Sequence, residues 1–271
     1  MPNPVLIDGT SLGLDEFDAV ARRGGPCALA AHARAAVEAG LATLSRILDR
    51  GDAVYGVNTG FGDLAGVRIA EDRIVELQRR LILSHSAGLG ESLEDDAVRG
   101  MLLLRANTLA RGHSGVRPQV VEALIALLGA GVLPVVPSRG SVGASGDLAP
   151  LAHLALPLLG CGQVRVDGRI ATAAEGLRRA GLEPMELGPK EGLALINGTQ
   201  AMTSLLALSC LDARRMVRVA DLAAASVSAD RITVDDIDTV DLAVRQMTAT
   251  GRMTAASAGI TSLVVGSCSG C

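Results

Sequence analysis

The stretch RGSVGASGDLAPLAH, residues 139–153, changes character halfway along. The glycines Gly140, Gly143 and Gly146 give way to an apolar helical pattern that Asp147 can cap and Pro150 can begin. A glycine-rich loop ahead of a helix suggests an anion site, but no Lys-Ser/Thr pair completes a P-loop and no strand with GxGxxG makes a dinucleotide fold. Ser145 lacks the GxSxG spacing of a nucleophile elbow, and nothing marks an Asp and a His as its partners. Another chemistry is open to Ala144-Ser145-Gly146. The Gly146 nitrogen has an unhindered approach to the Ala144 carbonyl, and Ser145 can lose its hydroxyl as water. Closure with loss of two waters leaves an exocyclic methylene conjugated to an imidazolone, a strong electrophile.

Outward from this loop, apolar residues recur at helical spacing over Leu29 to Leu48, Ile69 to Leu83, Leu93 to Leu109, Pro118 to Leu128, Asp147 to Leu159 and Thr199 to Ala225. Several of these runs are apolar nearly all round, as suits helices buried in a bundle or at subunit interfaces, so oligomerisation is expected. The β content is small: a run from Pro4 to Gly9, and a hairpin over Gln163 to Ile170 turning at Asp167-Gly168. The fold class is mainly α. Glycine accounts for 32 of 271 residues and clusters where helical pattern stops, at 56–66, 112–115, 140–146 and 192–198, so those loops are the places to look for chemistry.

Composition narrows the function. A net charge of −4 without a dense Lys/Arg block lacks the electrostatic footprint of a nucleic-acid binder. One Tyr, two Phe and no Trp leave no base-stacking platform and require a core of Ala, Leu, Val and Ile. No uninterrupted apolar run reaches bilayer length and the N-terminus lacks a signal-peptide pattern, so no membrane partner and a cytoplasmic location are expected. Cys27, Cys161, Cys210, Cys268 and Cys271 are odd in number and mostly far apart, which argues against a disulfide framework. The CxxC at Cys268 and Cys271 is read as incidental, with no metal site expected.

The segment GSVGASGDLAPLAH (140–153) resembles the signature of the histidine and aromatic amino acid ammonia-lyases, and YGVNTGFG at 55–62 and KEGLALINGTQAM at 190–202 match the same family in the same order. The resemblance covers residues 1 to 225. It implies a helical bundle of that type and conversion of Ala144, Ser145 and Gly146 into a methylidene-imidazolone group (MIO), formed without an external cofactor. Eliminating ammonia from an α-amino acid requires removal of a weakly acidic β-proton and expulsion of a poor leaving group. Attack of the substrate amine on the methylidene carbon addresses the second problem by covalent catalysis.

The resemblance assigns further roles. Tyr55, the only tyrosine, is the general base for the β-proton, although a lone tyrosine otherwise reads as a core residue with a bonded hydroxyl. Gly60 and Gly62 shape its loop and bring backbone close to substrate. Asn197, alone a turn residue, contacts the MIO carbonyl and the substrate. Asp147 reads equally as a helix cap or as a promoter of cyclisation. In Leu83-Ser84-His85-Ser86, the Ser-His pair matches the family's substrate-selecting position, where Ser-His is typical of histidine lyases and Phe-Leu or His-Leu of phenylalanine or tyrosine lyases. L-histidine is therefore the expected substrate, its imidazole hydrogen-bonded by that of His85. His32 and His153 read as structural, and His113 matches a family loop without a catalytic role.

After Ala225 the sequence departs from the family pattern: residues 229–271 are rich in Asp, Thr, Ser and Gly, with no tyrosine after Tyr55 and no phenylalanine after Phe61. Family members are roughly twice this length. The expected organisation is therefore a lyase region over 1–225 and a divergent tail over 226–271, truncated or frame-shifted, lacking much of the later long-helix region. Because family active sites are assembled across a homotetramer, weak or absent activity is expected of the isolated chain. Three readings remain open: a histidine ammonia-lyase forming trans-urocanate, a phenylalanine or tyrosine lyase or aminomutase, and an inactive remnant acting as an interaction subunit.

Overall fold

The computed structural model describes residues 3–51, 53–60, 66–70, 73–143 and 145–228, and helix dominates it. Strand β1 (Val5–Ile7) leads through helix α1 (Leu14–Ala21) to β2 (Cys27–Leu29), which pairs in parallel with β1, Val5 opposite Cys27 and Ile7 opposite Leu29. Then follow α2 (Ala31–Asp49), α3 (Ile74–His85), β3 (Leu89–Ser92), α4 (Asp95–Ala110) and α5 (Pro118–Gly129). Beyond them lie β4 (Leu133–Pro134), β5 (Pro137–Arg139) and α6 (Leu148–Ala155), which tightens into a 3-10 turn over Leu156–Leu159. A hairpin of β6 (Gln163–Val166) and β7 (Arg169–Thr172), then α7 (Ala173–Ala180), α8 (Glu191–Ile196) and α9 (Gln200–Ser228) complete the described chain. Met1–Leu206 form one compact unit and Ala207–Cys271 a second, of which the described part is the remainder of α9.

The predominance of helix and the hairpin at 163–170 agree with the sequence, and the hairpin turns on Asp167 and Gly168, both at positive φ as a type I′ turn requires. The boundaries differ for identifiable reasons. Leu29 is held opposite Ile7 in the parallel pair, so the helix expected from Leu29 starts at Ala31. Ile69 donates its N–H to the Asn58 carbonyl and Arg68 bridges Thr59, so helix α3 begins at Ile74 rather than Ile69. Helix α6 starts at Leu148, with Pro150 third in it rather than first. Helices α1, α7 and α8 are too short for periodicity to reveal. Even so, α7 carries a Thr-x-x-Glu start, Thr172 accepting the Glu175 N–H, and a left-handed Gly181 at its end. Among the described residues one helical stretch, Glu191–Ala224, reaches membrane-spanning length and apolarity by those measures alone, and it is interrupted at residues 197–199 between α8 and α9.

The core is aliphatic. Helix α4 buries Met101, Leu102, Leu103, Ala106 and Leu109 completely, and α5 does the same with Val120, Val121, Leu124 and Leu127. Each buried Val, Leu or Met side chain among them contributes about 1.5–3 kcal/mol by leaving water. Helix α4 packs against α1, α2, α5 and α6, so it is the post around which the first unit is arranged. Gly100 makes one of these approaches possible: a Cβ there would lie 2.6 Å from the Phe17 ring and would collide with Ser204 Oγ. Ser204 in turn donates to the Ala97 carbonyl at 2.8 Å, tying the start of α9 to α4.

Gly100→Ala is therefore expected to destabilise the protein, despite alanine's better helix propensity, by about 1–3 kcal/mol of overpacking. Urea denaturation reads this as a lowered midpoint at unchanged slope; an unchanged or raised midpoint would show that Phe17 can move aside.

Candidate active site

The loop at 140–147 is fixed at both ends. On its N-terminal side β5 pairs antiparallel with β3, Leu89 opposite Arg139 and Ser92 opposite Pro137. At its C-terminal end stands Asp147, fully buried, whose carboxylate accepts the Ser141 hydroxyl at 2.7 Å through Oδ1 and the Met202 N–H at 2.9 Å through Oδ2. Asp147 occupies the N-cap position of α6 but makes no side-chain cap there. The sequence expectation of a local cap is thus corrected: the carboxylate serves the first turn of α9, whose early N–H groups have no partner within the helix. Between these ends the loop reaches solvent, with Val142 and Ser145 exposed.

The loop meets residues 197–200. Asp147 donates its N–H to the Gly198 carbonyl at 2.7 Å. Gly146, at φ +93°, lies so close that a Cβ on it would collide with that same carbonyl. Only glycine satisfies both demands, the positive φ and the contact. Behind Gly198 lies Arg105 of α4, which donates through Nη1 to the Asn197 carbonyl at 3.2 Å and to Gln200 Oε1 at 2.7 Å, and through Nη2 to the Ala194 carbonyl. Gln200 Nε2 donates to Thr108 Oγ1 at 3.1 Å. The Asn197 residue itself is exposed. Helix α8, which delivers it, is clamped at its start by Glu191, whose buried carboxylate accepts the Arg117 N–H and Nε–H at 2.9 Å, Arg117 Nη2 at 2.7 Å and the Gly188 N–H at 2.7 Å.

The Ser84-His85 pair sits at the C-terminal end of α3, which packs against α6 and α8. His85 Nδ1 lies 2.8 Å from the Leu81 carbonyl. A carbonyl only accepts, so Nδ1 carries a proton; in the neutral imidazole Nε2 then presents a lone pair. Ser84 Oγ donates to the same carbonyl at 3.0 Å. The next residues dock onto the base of the glycine loop: Gly88 donates its N–H to His153 Nε2 on α6 at 3.0 Å, and a Cβ on Gly140 would stand 3.2 Å from Gly88 Cα. His153 thus has the structural role expected of it.

Hydrogen bonds within the Tyr55 loop include Val54 N–H to Asn58 Oδ1 at 2.8 Å, Gly60 N–H to the Val67 carbonyl at 3.0 Å, and Arg68 Nη2 to the Gly51 carbonyl at 2.7 Å. Val57 anchors the loop with a fully buried side chain, and Tyr55 stands 55% exposed. Gly62 and Ala144 lie outside the described residues, as do Phe61, Cys268 and Cys271. Ser145, Gly146, Asp147 and Asn197 are therefore brought together, and His85 is connected to them through Gly88. Sequence reading passed over Arg105, Ser141, Glu191 and Gln200. The signal for Arg105 was available, a single cation inside the apolar run GMLLLRANTLA at 100–110.

Comparisons with known proteins identify relatives of the chain. A sequence model described as aromatic amino acid lyase matches residues 12–267. Histidine ammonia-lyase of Paracidovorax citrulli is 49% identical over 267 residues, which is 98% of this chain and 52% of that protein. The crystal structure of histidine ammonia-lyase from Trypanosoma cruzi superposes with a TM-score of 0.75 at 40% identity, over 82% of this chain and 42% of that one. Tyrosine aminomutase from Streptomyces globisporus superposes with a TM-score of 0.72 at 38% identity, over 82% of this chain and 40% of that one. The chain spans about half the length of the curated relatives it matches.

Burial holds His153 below the ordinary imidazole value of 6.5. The unfolded chain takes up this proton first, so the contribution of the Gly88 bond stands above pH 6.5 and is lost as pH falls through 6.5 toward the lower folded value. The thermal midpoint of the protein should drop between pH 7.5 and 5.5, a range that straddles the ordinary imidazole value by about one unit each way. His153→Gln offers an acceptor that does not titrate, so its midpoint should drop less; equal drops would remove His153 as the cause.

Proposed function

The chain belongs to the aromatic amino acid lyase family, and we propose that it carries the core of a histidine ammonia-lyase site, one for non-oxidative elimination of ammonia from L-histidine to trans-urocanate in histidine degradation. The observation that carries this reading is the state of His85. With Nδ1 committed to the Leu81 carbonyl, Nε2 of the neutral ring offers an acceptor to an imidazole N–H of the substrate. Phenylalanine has no group to give it, and an unsatisfied acceptor discriminates strongly against such a substrate. A tyrosine phenol can donate to the same nitrogen, which keeps tyrosine lyase or aminomutase chemistry as the second reading, favoured by the likeness to the Streptomyces globisporus enzyme.

The residues fit the prosthetic group expected from Ala144, Ser145 and Gly146. Gly146 sits in a position that a Cβ would fill with a collision, and Ser145 is exposed on the same loop. In ring closure the Gly146 nitrogen bonds to the Ala144 carbonyl carbon, and that oxygen leaves as water with the N–H hydrogens of Ser145 and Gly146. A second water takes the Ser145 hydroxyl and its Cα hydrogen. The group supplies an electrophilic carbon for the substrate amine. Asn197 is assigned to orient the group and the amino acid, Tyr55 to take the β-proton, and the backbone at Gly60 and Gly62 to approach the substrate. We further propose residues 1–225 as the lyase region, 226–271 as a separate tail, a homotetramer as the working assembly and the cytoplasm as its location.

Intact mass of the denatured protein tests this directly. The chain should weigh less than its encoded mass by two waters, and Ser145→Ala should weigh its encoded mass. An undiminished mass would leave an interaction subunit as the better reading, one consistent with a chain about half as long as its relatives. In protein that shows the deficit and forms urocanate, His85→Leu should lower turnover of histidine relative to phenylalanine by on the order of tenfold or more. An unchanged preference would rule His85 out as the selector.

A further inference from the structure

Arg105 is 2% exposed and lies in the middle of α4 among its buried apolar residues. No ion pair reaches it among the described residues, and its Nε finds no hydrogen-bond partner there. Burial alone pushes it down to about 10. A guanidinium in this setting is costly, and an apolar side chain of similar volume would pack there more cheaply. What the cation does instead is bind three oxygens at once: the carbonyls of Ala194 and Asn197 at the end of α8, and Gln200 Oε1 in the first turn of α9. Its planar fork spans the whole turn between the two helices, which the point charge of a lysine cannot do.

Gly198 lies inside that turn. A Cβ on it would collide with Arg105 Nη1 and with Gln200 Oε1, so the guanidinium occupies the space where a side chain would stand. On its other side the Gly198 carbonyl takes the Asp147 N–H and abuts Gly146. The contacts therefore form one unbroken stack, from Arg105 through Gly198 to Gly146 and Asp147.

We propose that Arg105 is a positioning residue: it sets the Asn197–Gln200 turn as the fixed platform against which Gly146 is held for ring closure, and aims Asn197 at the same loop. The proposal rests on the cyclisation reading given above. Arg105 reaches the reacting atoms only through Gly198 and is not itself catalytic.

The test follows the two-water mass deficit over time after synthesis, with amide exchange at Asp147 and Met202 and the thermal midpoint measured alongside. Arg105→Lys keeps the charge but loses the fork, so the deficit should accumulate slower by on the order of tenfold, with faster exchange at Asp147 and unchanged exchange within α5. Gln200→Leu removes one acceptor and should slow closure likewise, whereas Gln200→Glu retains an oxygen for Nη1 and should restore it. A folded Arg105→Lys protein that closes at the unaltered rate overturns the positioning role while leaving the cyclisation reading intact. If Arg105→Lys fails to fold, equal rates for Gln200→Leu and Gln200→Glu overturn it. An unaltered chain that never shows the deficit overturns the cyclisation reading and this proposal with it.

Discussion

Asp147, sealed from solvent, ties the glycine loop to a turn and a helix start that are remote from it in sequence. Through its carboxylate the Ser141 hydroxyl and the Met202 N–H share one anion, and through its own N–H the Gly198 carbonyl is fixed. A buried carboxylate loses the solvation that water gives it, so each of these donors is obligatory rather than decorative. The glycine loop, the turn at Asn197 and the start of α9 take their relative positions from this one residue. The exposed residues of the site, Ser145 and Asn197, adjoin Gly146 and Gly198, whose backbones are packed against each other.

Around that anion the fold is assembled with unusually plain materials. With almost no aromatic side chains, shape in the core comes from Leu, Val, Ile and Ala, and close approach comes from glycine. Gly100 admits Phe17 and Ser204 to α4, Gly192 admits α8 to the backbone of Gln78 on α3, and Gly198 admits the Arg105 guanidinium. Side chains with polar heads then lock what the small residues bring near. The Glu191 and Arg117 pair fixes the beginning of α8, and Arg105 fixes its end. Specific geometry at the site is thus supplied by polar contacts inside an aliphatic frame that could not supply it alone.

The sequence made legible what depends on local pattern. Long helices such as α4 and α5 announce themselves by periodicity, the Asp167-Gly168 turn by its residue types, and the loop around Ser145 by a tripeptide whose chemistry can be reasoned from its atoms. Illegible were the features that need a partner from elsewhere in the chain. Asp147 looks like a cap for α6 because capping is local, yet it is spent on a helix 55 residues away. Leu29 reads as the start of a helix because its pairing with Ile7 of β1 lies outside any short window. Arg105 stands out in its apolar run, but only the fold reveals which oxygens it serves.

One further consequence concerns Tyr55, held on its loop by the buried Val57 with its ring largely in solvent. With no tryptophan and no second tyrosine in the chain, all of its tyrosine fluorescence comes from this one phenol. The protein therefore carries a single tyrosine emitter, and that emitter sits on the very loop assigned to proton transfer. Any docking of that loop, by substrate or by another copy of the chain, is written directly into the spectrum without a label.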